Sequence, residues 1–186
     1  MIKLAPLIFR WFLLTVADYL LLVPFAIAAP FVSLFTYNGW GVFAFMGTFD
    51  NPPQGDRGWV RERSPIPFAL DGFKGYINRV CWLWRNPNYQ LQKLAGFNYS
   101  KKLKVTLKGN AEISDKYGKA GKYLALATDG TTIKAFEMYA IIPTFKGKCC
   151  RIRLGWKINT DKFKKLGFAP LVNTITPHKS FGASLK

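Results

Sequence analysis

The sequence predicts a mixed α+β chain: an N-terminal membrane helix, kinked or re-entrant, then a short amphipathic helix, then a C-terminal antiparallel β-sheet. Three patterns carry that expectation. Residues 11–36 form a 26-residue apolar run in which Asp18 is the only formal charge; residues 73–84 place apolar side chains at three- and four-residue spacing; and segments from 101 onward alternate apolar with charged or polar residues. Composition agrees. With 49% apolar and 16% aromatic residues the chain is not of the disordered class, and 186 residues suffice for one modest folded unit plus an anchor. The expected division is an anchor with an interfacial collar at 1–46, a loop and amphipathic-helix region at 47–100, and a basic antiparallel β domain at 101–186.

A helix rises about 1.5 Å per residue and a hydrocarbon layer is about 30 Å thick, so roughly 20 apolar residues span it. The run at 11–36 is long enough, and Trp11, Leu14, Leu20, Leu21, Leu22, Phe25, Phe31 and Phe35 are its candidate anchoring residues. One spanning helix, bent near Pro24, leads. Pro24 and Pro30 each lack an N–H and crowd the preceding turn, which keeps two alternatives in view: a re-entrant or interfacial helix, and a helical hairpin with 42–46 in its second arm. A secretory signal peptide fits less well. Lys3 and Arg10 precede the run and Ala26-Ile27-Ala28 resembles a cleavage site, but Phe31, Val32, Leu34 and Phe35 prolong the apolar stretch beyond it. A soluble core helix would need a polar stripe, which the run lacks. Asp18 is costly in hydrocarbon and calls for a partner helix or a position at headgroup level. Orientation is ambiguous: Lys3 and Arg10 against no Lys or Arg at 37–55 place the N-terminus in the cytoplasm, while unpaired thiols and 25 downstream cations suit a cytosolic basic domain.

Tyr37, Trp40, Phe43 and Phe45 follow the run as an expected aromatic collar. A loop at 46–56 then turns at Asn51-Pro52-Pro53 and Gly55. Asp50, Asn51, Gln54 and Asp56 offer oxygens there, but without the spacing of a calcium loop, so turn-shaping side-chain bonds are expected instead. Next, Phe73, Tyr76, Ile77, Val80, Cys81 and Trp84 share the expected apolar face of a helix that Pro87 ends near Arg85. Lys74, Arg79 and Arg85 with Trp82 and Trp84 suit either a membrane surface or plain core packing.

Leu103, Val105 and Leu107 alternate with Lys102, Lys104, Thr106 and Lys108, the period of a half-buried strand. Asp129-Gly130 between 123–127 and 132–142 signals a hairpin. At 150–157, Cys150, Ile152 and Leu154 are expected inward and Arg151, Arg153 and Lys157 outward. The expected product is a sheet with one basic face, its anion-facing candidates being Lys102, Lys104, Lys108, Arg151, Arg153 and Lys157.

The formal charge is +17, and from Lys101 onward 18 Lys or Arg stand against 5 Asp or Glu, leaving +13 in that half. Such an excess favours anionic lipid headgroups or nucleic acid as a partner, beside the plainer role of a solubilising surface. Nucleic acid is the minority reading, because stacking modules interleave aromatics with cations and the outward positions of the first strand are Lys and Thr. The three cysteines, Cys81, Cys149 and Cys150, form no CxxC pair and read as inert thiols in a reducing compartment. His178 is the only histidine, and no nucleophile pair, zinc signature, phosphate loop or dinucleotide fingerprint occurs. No catalytic residue, cofactor or metal is expected, and the chain reads as a non-enzyme.

The segments FDNPPQGD at 49–56, YINRVCWLWRNPNY at 76–89 and LGWKI at 154–158 together resemble a family of small, uncharacterised membrane proteins encoded by tailed bacteriophages. The likeness covers most of the chain, and the Arg-Asn-Pro run is its most specific part. It implies a phage origin and a membrane setting, with Asp50, Asn51, Asp56, Trp82, Trp84, Arg85, Asn86 and Tyr89 as candidates for whatever the family shares. The expectation is a membrane-anchored protein at the host inner membrane whose basic domain engages anionic lipid, or a phage or host protein. A component of the virion or its DNA-delivery apparatus, and a lysis or superinfection-exclusion factor, are the alternatives.

Overall fold

Neither proline interrupts the first helix. In the computed structural model, which describes residues 4–62, 64–100 and 102–182, α1 runs without a break over Ala5–Phe35 with Pro24 and Pro30 inside it. At about 1.5 Å per residue its 31 residues extend roughly 46 Å. The hairpin alternative therefore falls away: the segment that would supply its second arm holds only a 3₁₀ turn at Gly41–Phe43. Lys3 and Lys101, used in the sequence reading, lie outside the described residues.

The short helices α2 (Arg57–Glu62), α3 (Gly72–Arg85) and α4 (Tyr89–Leu94) follow, and then the strands β1 (Phe97–Asn98), β2 (Lys104–Gly109), β3 (Gly121–Asp129), β4 (Thr132–Pro143) and β5 (Lys148–Trp156). Helix α5 (Asp161–Leu166), closed by Gly167 at φ +76°, leads into β6 (Phe168–Ala169) and β7 (Leu171–Ser180). β1 pairs with β6, and a five-stranded antiparallel sheet has the order β2-β3-β4-β5-β7. The predicted Asp129-Gly130 hairpin forms, with Gly130 at φ +58°. The mixed α+β class holds: a long apolar helix, a shorter helix and a C-terminal antiparallel sheet. The chain divides into two compact units, one comprising residues up to Leu13 and from Ala95 onward, the other Leu14–Leu94.

In the sheet unit, register decides what each strand buries. Val105 and Leu107 of β2 lie in the same rows as Ala127 and Ala125 of β3, and across β4 these rows continue to Ala135 and Glu137. Ala125, Ala127, Ala135 and Glu137 are fully buried. The Glu137 carboxylate is met by four donors. Tyr123 Oη lies 2.8 Å and Arg153 Nε 2.7 Å from Oε1, Arg153 Nη2 is 2.6 Å from the same oxygen, and the Asn159 amide donates to Oε2 at 2.8 Å. A buried charge is tolerated when its lone pairs are satisfied in this way. Arg151 meets Asp115 at 3.4 Å on the same face.

This pairing corrects the expected basic face. Lys108 lies in one row with Leu124, Met138 and Leu154, whereas Arg153 is in the neighbouring row with Tyr139 and Tyr123, and adjacent rows point to opposite sides of a sheet. The lysines of β2 and the arginines of β5 thus occupy different faces, and the arginines are opposed by carboxylates 16 and 36 residues away in sequence. A second correction concerns the cysteines: Cys149 is the buried one and Cys150 is half-buried, because Cys149 shares the inward face with Arg151 and Arg153. Burial, and secondarily Asp115, raises the Cys149 thiol above its ordinary pKa.

The first turns of α1 belong to this unit. Trp11 donates its indole N–H to the Val172 carbonyl at 3.0 Å and meets Phe136 edge-on, while Arg10 lies over the Trp156 ring. Phe136 and Trp156 are covered; Met138, Ile142 and Ile175 on the same side of the sheet remain exposed.

Two outcomes follow from the Glu137 network. Glu137→Gln, which leaves Arg153 without its counter-charge, should cost about 3 kcal/mol, read as a fall in the denaturation midpoint of the sheet unit. Burial raises the phenols of Tyr99, Tyr123 and Tyr139 above the ordinary value, with Glu137 adding to the first two and Asp115 to the third. Unfolded tyrosines ionise near about pH 10 and the folded ones hold their protons beyond it, so stability is full below that pH and falls as pH rises through it. Absorbance titration at 295 nm should show these three tyrosines ionising late, together with Tyr37, whose phenol is raised by its hydrogen bond to Asp71, and the melting temperature should drop in the same range.

Candidate functional site

The second unit is organised around the remainder of α1. Helices α3 and α4 run antiparallel to it, since Arg79 meets Ser33, Trp84 meets Ala26, and Asn88 and Gln92 meet Asp18. Each contact answers a specific backbone or charge problem. Pro30 has no N–H, so the carbonyl of Ala26, four residues earlier, loses its helical donor; the Trp84 indole N–H supplies one at 2.8 Å. The last turn of any helix has carbonyls without intrahelical partners. Arg79 Nε donates to Ser33 O at 3.2 Å and its Nη1 to Leu70 O at 3.2 Å, placing a cation at the negative end of the α1 dipole. Asp18, the one charge inside the apolar run, accepts from the Gln92 amide at 3.3 Å, and its carbonyl accepts from Asn88 at 2.6 Å. The expected partner helix for Asp18 is α4.

The loop before α2 is equally specified. Asp56 Oδ1 accepts the Trp59 amide at 2.7 Å at the start of α2, the N-cap role of a short carboxylate. Asn51 donates to Asp50 at 2.7 Å, and its carbonyl receives the Trp40 indole N–H at 2.9 Å and the Thr48 hydroxyl at 3.0 Å. The Asx-type bonds expected of this loop are present. Gly55 sits at φ +96°, and a Cβ there would stand 2.4 Å from the Trp59 ring and 2.9 Å from that of Trp82. Asn78, fully buried, ties the layer together: its oxygen accepts from Trp59 and Ser64 at 3.0 and 2.9 Å, and its amide donates to Gln54 O at 3.1 Å.

The segments 49–56 and 76–89, with all eight candidate motif residues, lie in this unit, whereas 154–158 lies in the sheet unit. Trp82 is buried against Trp59, Arg85 lies over the Trp59 ring, Asn86 closes the end of α3 onto Trp82 O, and Tyr89 stacks on Phe49 at 4.7 Å with rings parallel to within 2°. Asp50, Asn51, Asp56 and Trp84 hold the contacts given above. The collar divides. Trp40 and Phe43 pack against a core of Ala29, Val32, Met46 and Leu83, whereas Tyr37 and Phe45 are exposed.

The face assigned to α3 needs correction. Of Phe73, Tyr76, Ile77, Val80, Cys81 and Trp84, Val80 alone is buried, and the helix buries Gly75, Asn78, Arg79, Trp82 and Leu83 beside it. Phe73 is 76% and Trp84 52% exposed, while Asn78 and Arg79 are 0% and 4%. The polar side chains turn inward because the α1 terminus and the α2 loop present them with hydrogen-bonding groups. Sequence reasoning missed Asn78, Asn88 and Gln92 altogether; two amides flanking the most specific motif were the available signal.

A family model matches residues 3–182, described as a family of unknown function, DUF7338. The chain belongs to this family. No curated protein and no solved structure matches. In this DUF7338 member the candidate anchoring residues separate into two sets: Trp11, Leu14 and Phe25 are half-buried, and Leu20, Leu21, Leu22, Phe31 and Phe35 are exposed. Of the basic candidates, Lys102, Lys104 and Lys108 are exposed, Lys157 is half-buried, and Arg151 and Arg153 are held by Asp115 and Glu137. Among the described residues no three His, Cys, Asp or Glu side chains gather as for a metal ion.

Two substitutions test the layout of the DUF7338 chain. Gly55→Ala forces a side chain into the left-handed region against two indoles and should cost about 2 kcal/mol or more, seen as a lowered melting temperature. Trp84→Phe should cost about 1 kcal/mol where Pro30 is present and much less after Pro30→Ala restores the helical donor; a double-mutant cycle measures that coupling.

Proposed function

We propose that this protein is a phage-encoded, non-enzymatic membrane protein that acts at the host inner membrane, held by α1 and drawn to anionic lipid by its basic charge. The observation that carries the reading is the outward face of α1. Leu20 is 71% and Ile27 75% exposed, and Phe31, Leu34 and Phe35 are similarly uncovered. A water-facing helix of that length ordinarily carries polar residues on its open side. Among the described residues α1 is also the one helix long and apolar enough to cross a bilayer.

The net charge of +17 supports an anionic partner, and the exposed β2 lysines are among the cations that face outward. The phage origin rests on the resemblance of the 49–56, 76–89 and 154–158 segments to phage membrane proteins, and a partner protein at that membrane is part of the same proposal.

Fractionation of the expressed chain tests the reading. It should sediment with membranes at high salt and need detergent for release; recovery in the soluble fraction without detergent would sink it.

A further inference from the structure

The membrane reading leaves open how α1 meets the bilayer, and the second unit bears on that point. Residues 15–36 rise about 32 Å, the thickness of a hydrocarbon layer. Toward the two ends of that length the covered side of the helix carries polar groups, the Asp18 carboxylate with Asn88 and Gln92 and the buried hydroxyl of Thr15 at one, the buried hydroxyls of Ser33 and Thr36 and the Arg79 guanidinium on Ser33 O at the other, with apolar Ala29 and Val32 between them. A perpendicular crossing would place Asp18 and its amide partners, together with exposed Arg85 and Lys93, at hydrocarbon depth, where charge is strongly disfavoured. The opposite side of the same helix is open and apolar, and α3 is inverted in the same sense, with Asn78 and Arg79 inside and Phe73 and Trp84 outside.

We infer that α1 and α3 lie in the plane of a single leaflet, presenting Leu20, Ile27, Phe31, Phe73 and Trp84 to the acyl chains while their polar side stays with the protein. The occupant of this surface is lipid with anionic headgroups. Lys74 and Arg85 stand exposed near the two ends of α3, where an embedded aromatic stripe brings cations to phosphate level. A helix lying on its side keeps its protein-facing side, which carries Asp18, out of the acyl chains, and so it tolerates that carboxylate without a second spanning helix. Both ends of the chain then remain on one side of the membrane.

The inference rests on the membrane reading above, and one experiment separates the two. The full chain with tags at both ends is expressed in bacteria, and tag accessibility to protease is read in intact and in opened spheroplasts. In parallel, Ile27→Cys and Phe73→Cys are made in a background with Cys81, Cys149 and Cys150 replaced by alanine and checked for an unchanged melting transition. They are labelled with a fluorophore and reconstituted into vesicles carrying phosphatidylglycerol and a nitroxide either near the headgroup or deep in the acyl chain. Both tags on one side, and stronger quenching by the shallow nitroxide at both positions, are expected. Phe73→Glu should also weaken vesicle binding about tenfold without shifting the melt. Tags on opposite sides, deep quenching at position 27, or vesicle binding indifferent to Phe73→Glu would overturn the in-plane arrangement while leaving membrane attachment standing. A chain that never sediments with membranes overturns both.

Discussion

A helix of 31 residues containing two prolines and an aspartate has backbone and charge requirements that it cannot meet alone. Pro30 strips the Ala26 carbonyl of its donor, the last turn ends in unpartnered carbonyls, and Asp18 carries a charge into an apolar surface. Trp84, Arg79, Gln92 and Asn88 answer these demands in order along one antiparallel segment, at distances from 2.6 to 3.3 Å. The rest of the second unit positions these donors. Asn78 fixes α3 against the α2 loop, Gly55 lets two indoles approach, and Asn88 adopts φ +59° so that its amide reaches Asp18 O.

This dependence explains why the segments 49–56 and 76–89 are rich in amides and aromatics. Asp50, Asn51 and Asp56 shape a loop; Trp82, Arg85, Asn86 and Tyr89 terminate α3 and seat the turn into α4. The DUF7338 match over residues 3–182 takes in these segments and the sheet alike. Outside these packed segments lie an apolar helical face and a scatter of cations.

The sheet unit solves a separate problem. Its positive charge is not one surface, because the cations sit on alternating rows and the two arginines of β5 are drawn inward by Glu137 and Asp115. A carboxylate with four donors is rigidly held, and it removes Arg153 from contact with a diffusing anion. The exposed cations of the sheet strands are lysines, whose flexible, well-hydrated ammonium groups suit diffuse attraction to a charged surface better than bidentate recognition.

Much was legible in the sequence because it depends on local periodicity. The apolar run, the end of α3 before Pro87, the alternation of β2 and the Asp129-Gly130 turn each follow from spacing or from a backbone-restricted residue, and each formed as expected. The tertiary structure decided whatever depends on groups distant along the chain. Spacing placed Phe73 and Trp84 on the inner face of α3, but the side that is buried is the one facing Ser33 O, Leu70 O and Gln54 O, so Asn78 and Arg79 turned inward instead. Alternation in β5 placed Cys150, Ile152 and Leu154 inward and the arginines outward, but Glu137, sixteen residues from Arg153, holds that arginine against the buried side instead. By itself, then, the sequence determined the elements and the long apolar helix, since short-range sterics and hydrophobic periodicity suffice for those. Which polar side chains are buried and which apolar ones are left open was a tertiary decision, because a buried donor goes where an unpaired acceptor waits for it.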